Sequence, residues 1–180
     1  MTKKTTLIIA ACILLAMAGM AQAQSNTGTT TLSVAVGAEA ALTVNTSTTS
    51  LTTARTTFGS PFTGTTSLTY FIRTGKTTGT GTLTLKVTGD FAPAGGPLVA
   101  TPPSTGDALT YTCTVSAPGA ACTGSQTAST TAGTPFATWG AATSSVKAGN
   151  SASTAWSLTD DPVYAAGTYT ATTTYTISAT

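Results

Sequence analysis

Histidine is absent from this 180-residue chain, and charged residues are scarce, with seven Lys and Arg against five Asp and Glu. Without histidine, the Ser-His-Asp and Cys-His nucleophile systems are excluded. The five acids are dispersed along the chain and include no obvious carboxylate pair of the kind that glycoside hydrolysis uses. We therefore expect no enzymatic activity. The sequence also has no basic cluster that would attract nucleic acid or anionic lipid.

Cysteine is nearly as rare, with three residues in the whole chain. Two of them, Cys113 and Cys122, lie in the body of the sequence, whereas Cys12 lies in the N-terminal apolar run. So few thiol ligands, with no histidine, do not make a structural zinc site, and we expect neither metal nor cofactor. In an exported chain, Cys113 and Cys122 are expected to form a disulfide that closes a short loop. Pro118-Gly119 predicts a turn within this loop, with Cys122 on a returning strand across from Cys113.

The N-terminus has the features of an export signal. Lys3 and Lys4 precede an apolar run over residues 7–20, and Ala21-Gln22-Ala23 is a typical cleavage site. Residues 1–23 are therefore predicted to be removed, which leaves no membrane segment and a secreted, extracellular or cell-surface protein. Loss of the two lysines leaves five basic against five acidic residues, so the mature net charge is zero. Weak mutual repulsion favours self-association.

Threonine makes up about a quarter of the chain, and this β-branched residue favours strands. Apolar side chains recur at every second position in several short segments, which is the period of a strand with one buried face. No comparable helical periodicity is present. The sequence predicts an all-β protein, an immunoglobulin-like β-sandwich of about seven or eight strands over residues 38–180. The alternating or apolar segments are residues 38–45, 68–72, 83–87, 109–115, 136–139, 156–158 and 169–179.

Two details of this pattern carry further expectations. The segments 68–72 and 83–87 are separated by a glycine-containing stretch and are predicted to form a hairpin. Trp139 and Trp156 are expected to pack in the core, with glycan stacking as the alternative. Asp160-Asp161-Pro162 predicts a solvated turn, with calcium coordination as the alternative.

The segment that suggests a function is the N-terminal extension over residues 24–37. Leu32, Val34 and Val36 alternate with small or polar residues, and the pattern continues past Gly37. An alternating run of this length is too long for one ordinary strand, so we expect a break near Gly37. The extension is either the first strand of its own sandwich or a donor strand that pairs with another subunit.

The exported precursor, the alternating N-terminal segment, the lone close cysteine pair and the terminal strand that begins Gly167-Thr168-Tyr169 together resemble spore-coat-U and fimbrial-type pilin sandwiches. Members of that family polymerise by donor-strand complementation, assembled by a periplasmic chaperone and an usher. The resemblance implies that Leu32, Val34 and Val36 are donor residues. It also implies that the edge of an acceptor groove is formed by Tyr169, Ala171, Thr173, Tyr175 and Ile177.

From these observations we expect a structural subunit of a bacterial extracellular fibre or pilus that assembles into a homopolymer by β-strand addition. The alternative is a monomeric surface or matrix adhesin that binds glycan or protein. The first predicts filaments that depend on the N-terminal extension. The second predicts a folded monomer with that extension in place and exposed aromatic side chains that bind the ligand.

Overall fold

The computed structural model describes residues 27–53 and 57–180, and the expected signal segment and Cys12 lie outside them. The chain divides into two units at Val36, and every described strand lies in the second, Val36–Thr180. All secondary structure of the described residues is β, in nine strands. They are β1 (Glu39–Val44), β2 (Phe62–Arg73), β3 (Gly81–Ala92), β4 (Thr110–Val115), β5 (Ala120–Ala121), β6 (Gln126–Thr127), β7 (Thr134–Trp139), β8 (Asn150–Leu158) and β9 (Thr170–Ala179).

The strands form two antiparallel sheets that pack as a β-sandwich. One sheet has the order β1-β2-β8-β4-β6 and the other the order β5-β7-β3-β9. Alternate side chains of the long strands point into the space between the sheets and are buried, while the intervening Thr and Ser residues face outward. The all-β prediction is thus confirmed, and the strand count exceeds the expected one because β5 and β6 are two-residue strands.

The core lies between β2 and β8 of one sheet and β3 and β7 of the other. Its apolar members are Leu68, Tyr70, Ile72, Leu83, Leu85, Val87, Leu109, Tyr111, Ala128, Phe136, Ala137, Trp139, Ala152, Trp156 and Leu158. Nearly all of these come from the alternating segments of the sequence. Because only one face of each strand is apolar, the sheets must stack on each other to remove those faces from water.

The predicted hairpin of residues 68–72 and 83–87 is wrong. These residues belong to β2 and β3, which follow each other in sequence but lie in different sheets. β2 pairs with β1 and β8, and β3 pairs with β7 and β9. The apolar faces of β2 and β3 meet across the core. This arrangement requires the same alternation of apolar and polar residues as a hairpin, so the sequence pattern fits both.

The N-terminal part of the alternating run also differs from a continuous strand. β1 begins at Glu39, close to the break expected near Gly37, and residues 27–38 form no strand. The backbone carbonyl of Gly37 accepts a hydrogen bond from Arg73 Nε at 2.8 Å, and the Arg73 guanidinium also pairs with the Glu39 carboxylate at 3.0 Å. These contacts hold the chain where it enters β1.

Cys113 and Cys122 form the expected disulfide. The expected pairing of the two cysteine-bearing segments is wrong, because the strand that returns from the Pro118-Gly119 turn does not pair with β4. β5 instead pairs with β7 in the other sheet, and the Cys122 backbone N–H donates to the Phe136 carbonyl at 2.8 Å. The disulfide therefore joins the two sheets.

Both tryptophans are buried in the core, as the sequence suggested, and neither is available to stack on a glycan. Their indole N–H groups differ. Trp156 Nε1 donates to Thr66 Oγ1 at 2.9 Å, whereas the buried Trp139 Nε1 has no hydrogen-bond partner among the described residues.

This difference predicts unequal effects of two matched substitutions. Trp156→Phe removes a buried hydrogen bond, while Trp139→Phe removes a donor that is already unpartnered. We expect Trp156→Phe to lower the free energy of unfolding by about 1 kcal/mol more than Trp139→Phe. Urea denaturation of the two variants measures this difference, and equal or reversed losses would contradict it.

The antiparallel arrangement gives the sandwich two ends, named here after their residues. At the Arg73 end, β1 begins opposite the end of β2, and the Gly75 backbone N–H donates to the Thr180 carbonyl at 2.9 Å. The connections 74–80, 116–119 and 140–149 lie at this end. The Phe62 end contains the described connections 93–109 and 159–169, together with the starts of β2 and β9.

Candidate strand-binding groove

The two sheets are open along one side of the sandwich. β1 is the edge strand of the five-stranded sheet, β9 is the edge strand of the four-stranded sheet, and the two approach each other. Among the described residues, no backbone hydrogen-bond ladder joins β1 to β9. Each strand therefore has one backbone edge that pairs within its sheet and one that does not.

The inward side chains along this side are incompletely covered. In β3, Leu83, Leu85 and Val87 are completely buried, whereas every inward residue of the neighbouring β9 is only half-buried. On β1, the inward Ala40 and Leu42 are half-buried and Val44 is exposed. The inward side chains of β1 and β9 thus form a half-covered, largely apolar strip along this side, and we call it the β1–β9 groove.

The centre of the β1–β9 groove contains Tyr175. Its hydroxyl lies 2.8 Å from Thr154 Oγ1 on β8 of the opposite sheet, and its ring meets Phe136 edge-on at 5.9 Å. Burial raises the pKa of the Tyr175 hydroxyl, although hydrogen bonds to neighbouring threonines offset part of this effect. The phenol is therefore neutral at physiological pH, and no charged side chain lies on the inward faces of β1 and β9.

The other edges of the sandwich are much shorter. β6 and β5, the opposite edges of the two sheets, contain two residues each, while β9 contains ten. Short edges are poor templates for pairing with another chain, and long regular ones are good templates. The disulfide further ties β4 to the segment after β5 on that side. The β1–β9 groove is consequently the favourable place on the described sandwich for an added strand.

Leu32, Val34 and Val36 are exposed by 91%, 85% and 61%, and they lie in a stretch without secondary structure. Three large apolar side chains in succession on alternate positions are unusual on a soluble surface, where such residues are normally scattered singly. Within the described part of the chain, their backbone takes part in no strand pairing.

The residues proposed for the acceptor edge divide into two groups. Ala171, Thr173, Tyr175 and Ile177 lie on β9 with inward, half-buried side chains. Tyr169 precedes the strand, and its hydroxyl donates to the Ala165 carbonyl at 2.7 Å. Its ring lies so close to Gly96 that a Cβ atom there would approach it to 2.4 Å. Tyr169 thus packs on the 93–109 connection instead of the strand edge.

No family model, curated protein or solved structure matches this chain.

The described residues contain no helix that is long and apolar enough to cross a bilayer. They also contain no group of three or more Cys, Asp or Glu residues placed to hold a metal ion. Asp107 is distant in sequence from the adjacent pair Asp160-Asp161, yet all three acids lie near one another, since each influences the hydroxyl of Tyr164. The sequence did not predict that these acids lie near one another, because residue 107 and residues 160–161 are on separate connections.

Proposed function

We propose that this protein is a structural subunit of an extracellular fibre, in which the N-terminal segment of one copy adds as a strand to the β1–β9 groove of the next. One observation carries the proposal: the long free edge of β9, beside half-buried inward side chains, occurs in the same chain as an exposed segment of matching period. A strand added there would form backbone hydrogen bonds with the free edge of β9 and cover the half-buried apolar side chains between β9 and β1.

The energetic balance favours this pairing. Burial of Leu32, Val34 and Val36 contributes roughly 4–9 kcal/mol before the cost of ordering the segment. Backbone hydrogen bonds to the edge of β9 add about 0.5–1.5 kcal/mol each. Together these terms are large enough for a specific and lasting contact between subunits.

Pairing between copies also agrees with the path of the chain. To occupy the groove of its own sandwich, the segment would have to reverse direction at Gly37 and Ala38, immediately before β1. In a second copy it can remain extended. Because donor and acceptor surfaces are different parts of the chain, such a contact is heterologous and generates an open filament when the rotation between copies does not close a ring.

We further propose that the sandwich is of the immunoglobulin-like type, with the donated strand completing it at the free edge of β9. This is the arrangement that the resemblance to spore-coat-U and fimbrial-type pilin sandwiches implies. On the same resemblance, we propose that the protein lies outside the cell or on its surface, with a periplasmic chaperone and an usher as assembly partners.

Removal of the N-terminal segment tests the proposed function. The protein that starts at residue 24 is expected to form filaments in negative-stain electron microscopy, and a variant that lacks residues 24–36 is expected to stay monomeric. A synthetic peptide of residues 27–37 should bind the truncated variant and raise its Tm, because it fills the free groove. Filaments from the truncated variant, or a stable monomer of the intact chain, would argue against strand addition.

A further inference from the structure

Charged side chains are segregated between the two ends of the sandwich. The Arg73 end contains Arg73, Lys76 and Lys147, of which Arg73 pairs with Glu39. Lys76 and Lys147 are exposed, and neither is in a salt bridge within the described residues. Lys86 lies in the middle of β3, away from both ends. Arg55 is outside the described residues.

The Phe62 end contains the other four acids. Asp90 lies near the end of β3, Asp107 lies on the connection to β4, and Asp160 and Asp161 follow β8. Asp107 and Asp160 are buried, so Asp90 and Asp161 are the two carboxyl groups of this end that reach the surface. Asp107 accepts a hydrogen bond from the Tyr164 hydroxyl at 2.9 Å. None of the four carboxylates is in a salt bridge with a described cation.

The local environment keeps this end negative. Backbone hydrogen bonding from Val163 lowers the pKa of the Asp161 carboxyl. Burial by itself raises the pKa of Asp90, but three backbone N–H donors outweigh it and leave that pKa below its ordinary value. Burial, with the negative charges of the neighbouring aspartates, raises the pKa of Tyr164 well above its ordinary value. At neutral pH, Asp90 and Asp161 are therefore ionised and Tyr164 is not.

We propose that the Phe62 end of one copy docks against the Arg73 end of the next, through attraction between Asp90 and Asp161 of the first and Lys76 and Lys147 of the second. This inference rests on the proposed function and adds the direction of the filament to it. The N-terminal segment joins β1 at the Arg73 end, so the copy that receives the segment must lie next to that end. Contact between two Arg73 ends would bring like charges together.

This polarity determines how the added strand runs. A segment that enters the receiving groove at its Phe62 end has Val36 near the start of β9 and Leu32 deeper in the groove. It then runs antiparallel to β9, the pairing that is slightly more stable per residue. The charges act over a longer range than the strand contacts, so they mainly accelerate the encounter of two copies.

Three single charge reversals test this contact in the chain that starts at residue 24. Lys76→Glu and Lys147→Glu change the Arg73 end, and Lys86→Glu makes the same change of net charge in the middle of β3. At about 20 mM NaCl, we expect filaments of the two end variants to grow about three- to tenfold more slowly than those of the unmodified chain. Filaments of Lys86→Glu should grow at nearly the rate of the unmodified chain. At about 500 mM NaCl the four rates should converge, because salt screens the ends. Equal slowing by all three variants, or no slowing, overturns the proposal.

A second measurement separates this contact from strand addition. Static light scattering of Val34→Asp, a variant that we expect not to polymerise, should show weak attraction between monomers at low salt. Addition of Lys76→Glu and Lys147→Glu to that variant should abolish the attraction. If the unmodified chain forms no filaments but this attraction is present, the proposed function fails and the end-to-end contact stands. Absence of the attraction overturns the contact whether or not filaments form.

Discussion

The substitution Val34→Asp is expected to abolish filament formation while leaving the folded monomer as stable as before. Val34 is 85% exposed, so a carboxylate there remains in water in the monomer, and its effect on unfolding should stay within about 0.5 kcal/mol. In the β1–β9 groove the same carboxylate would face an apolar floor without a cation. Burial of an unpaired charge costs several kcal/mol, which offsets most of the gain from strand addition. Sedimentation and negative-stain microscopy measure assembly, and thermal unfolding checks the monomer.

Ser33→Asp provides the matched control, because it introduces the same charge one residue away. Side chains of adjacent residues in a strand point to opposite faces, so residue 33 would face solvent when residue 34 faces the groove. The control should polymerise. If both variants assemble normally, or if both fail, an alternating donor face is not what drives assembly.

The double substitution Cys113→Ala and Cys122→Ala is expected to cause the largest loss of monomer stability among the changes considered. The disulfide closes a loop with a sequence separation of nine, and the chain-entropy relation gives about 2–3 kcal/mol for a loop of that size. In a protein of this length, such a loss corresponds to a decrease in Tm of roughly 4–12 °C. Thermal unfolding by circular dichroism measures it.

Reducing agent gives the internal control for this prediction. It should lower the Tm of the unmodified protein toward that of the double variant and leave the Tm of the variant unchanged. Because the disulfide lies on the side of the sandwich opposite to the β1–β9 groove, the double variant should still polymerise at temperatures where it is folded. A double variant as stable as the unmodified chain would show that the bond does not constrain the unfolded state.

Several elements of the fold could be predicted from local pattern. The alternation at Leu83, Leu85 and Val87, and again from Ala171 to Ile177, identified β3 and β9, because a strand with one buried face leaves its period in the sequence. The disulfide followed from the small number of cysteines and the expected export. The core positions of Trp139 and Trp156 followed from the preference of large aromatic rings for burial.

Pairing partners could not be predicted in the same way. The pattern of residues 68–72 and 83–87 fits two neighbouring strands of one sheet as well as two strands that face each other across a core. An alternating strand specifies which side chains turn inward, but it does not specify which backbone edge meets which neighbour. For the same reason, the sequence placed the segment after Pro118-Gly119 beside β4, whereas β5 pairs with β7.

The sequence by itself determined the all-β class, the inward face of each long strand and the expectation of a disulfide, because these depend on local alternation and on residue type. Only the tertiary structure decided that β1 and β9 are free edges on the same side, and that acids and bases gather at opposite ends. Both features depend on residues far apart in the chain, such as Asp90 and Asp161. Their location at a common edge or end arises from how two sheets stack to bury their apolar faces, and no local pattern encodes it.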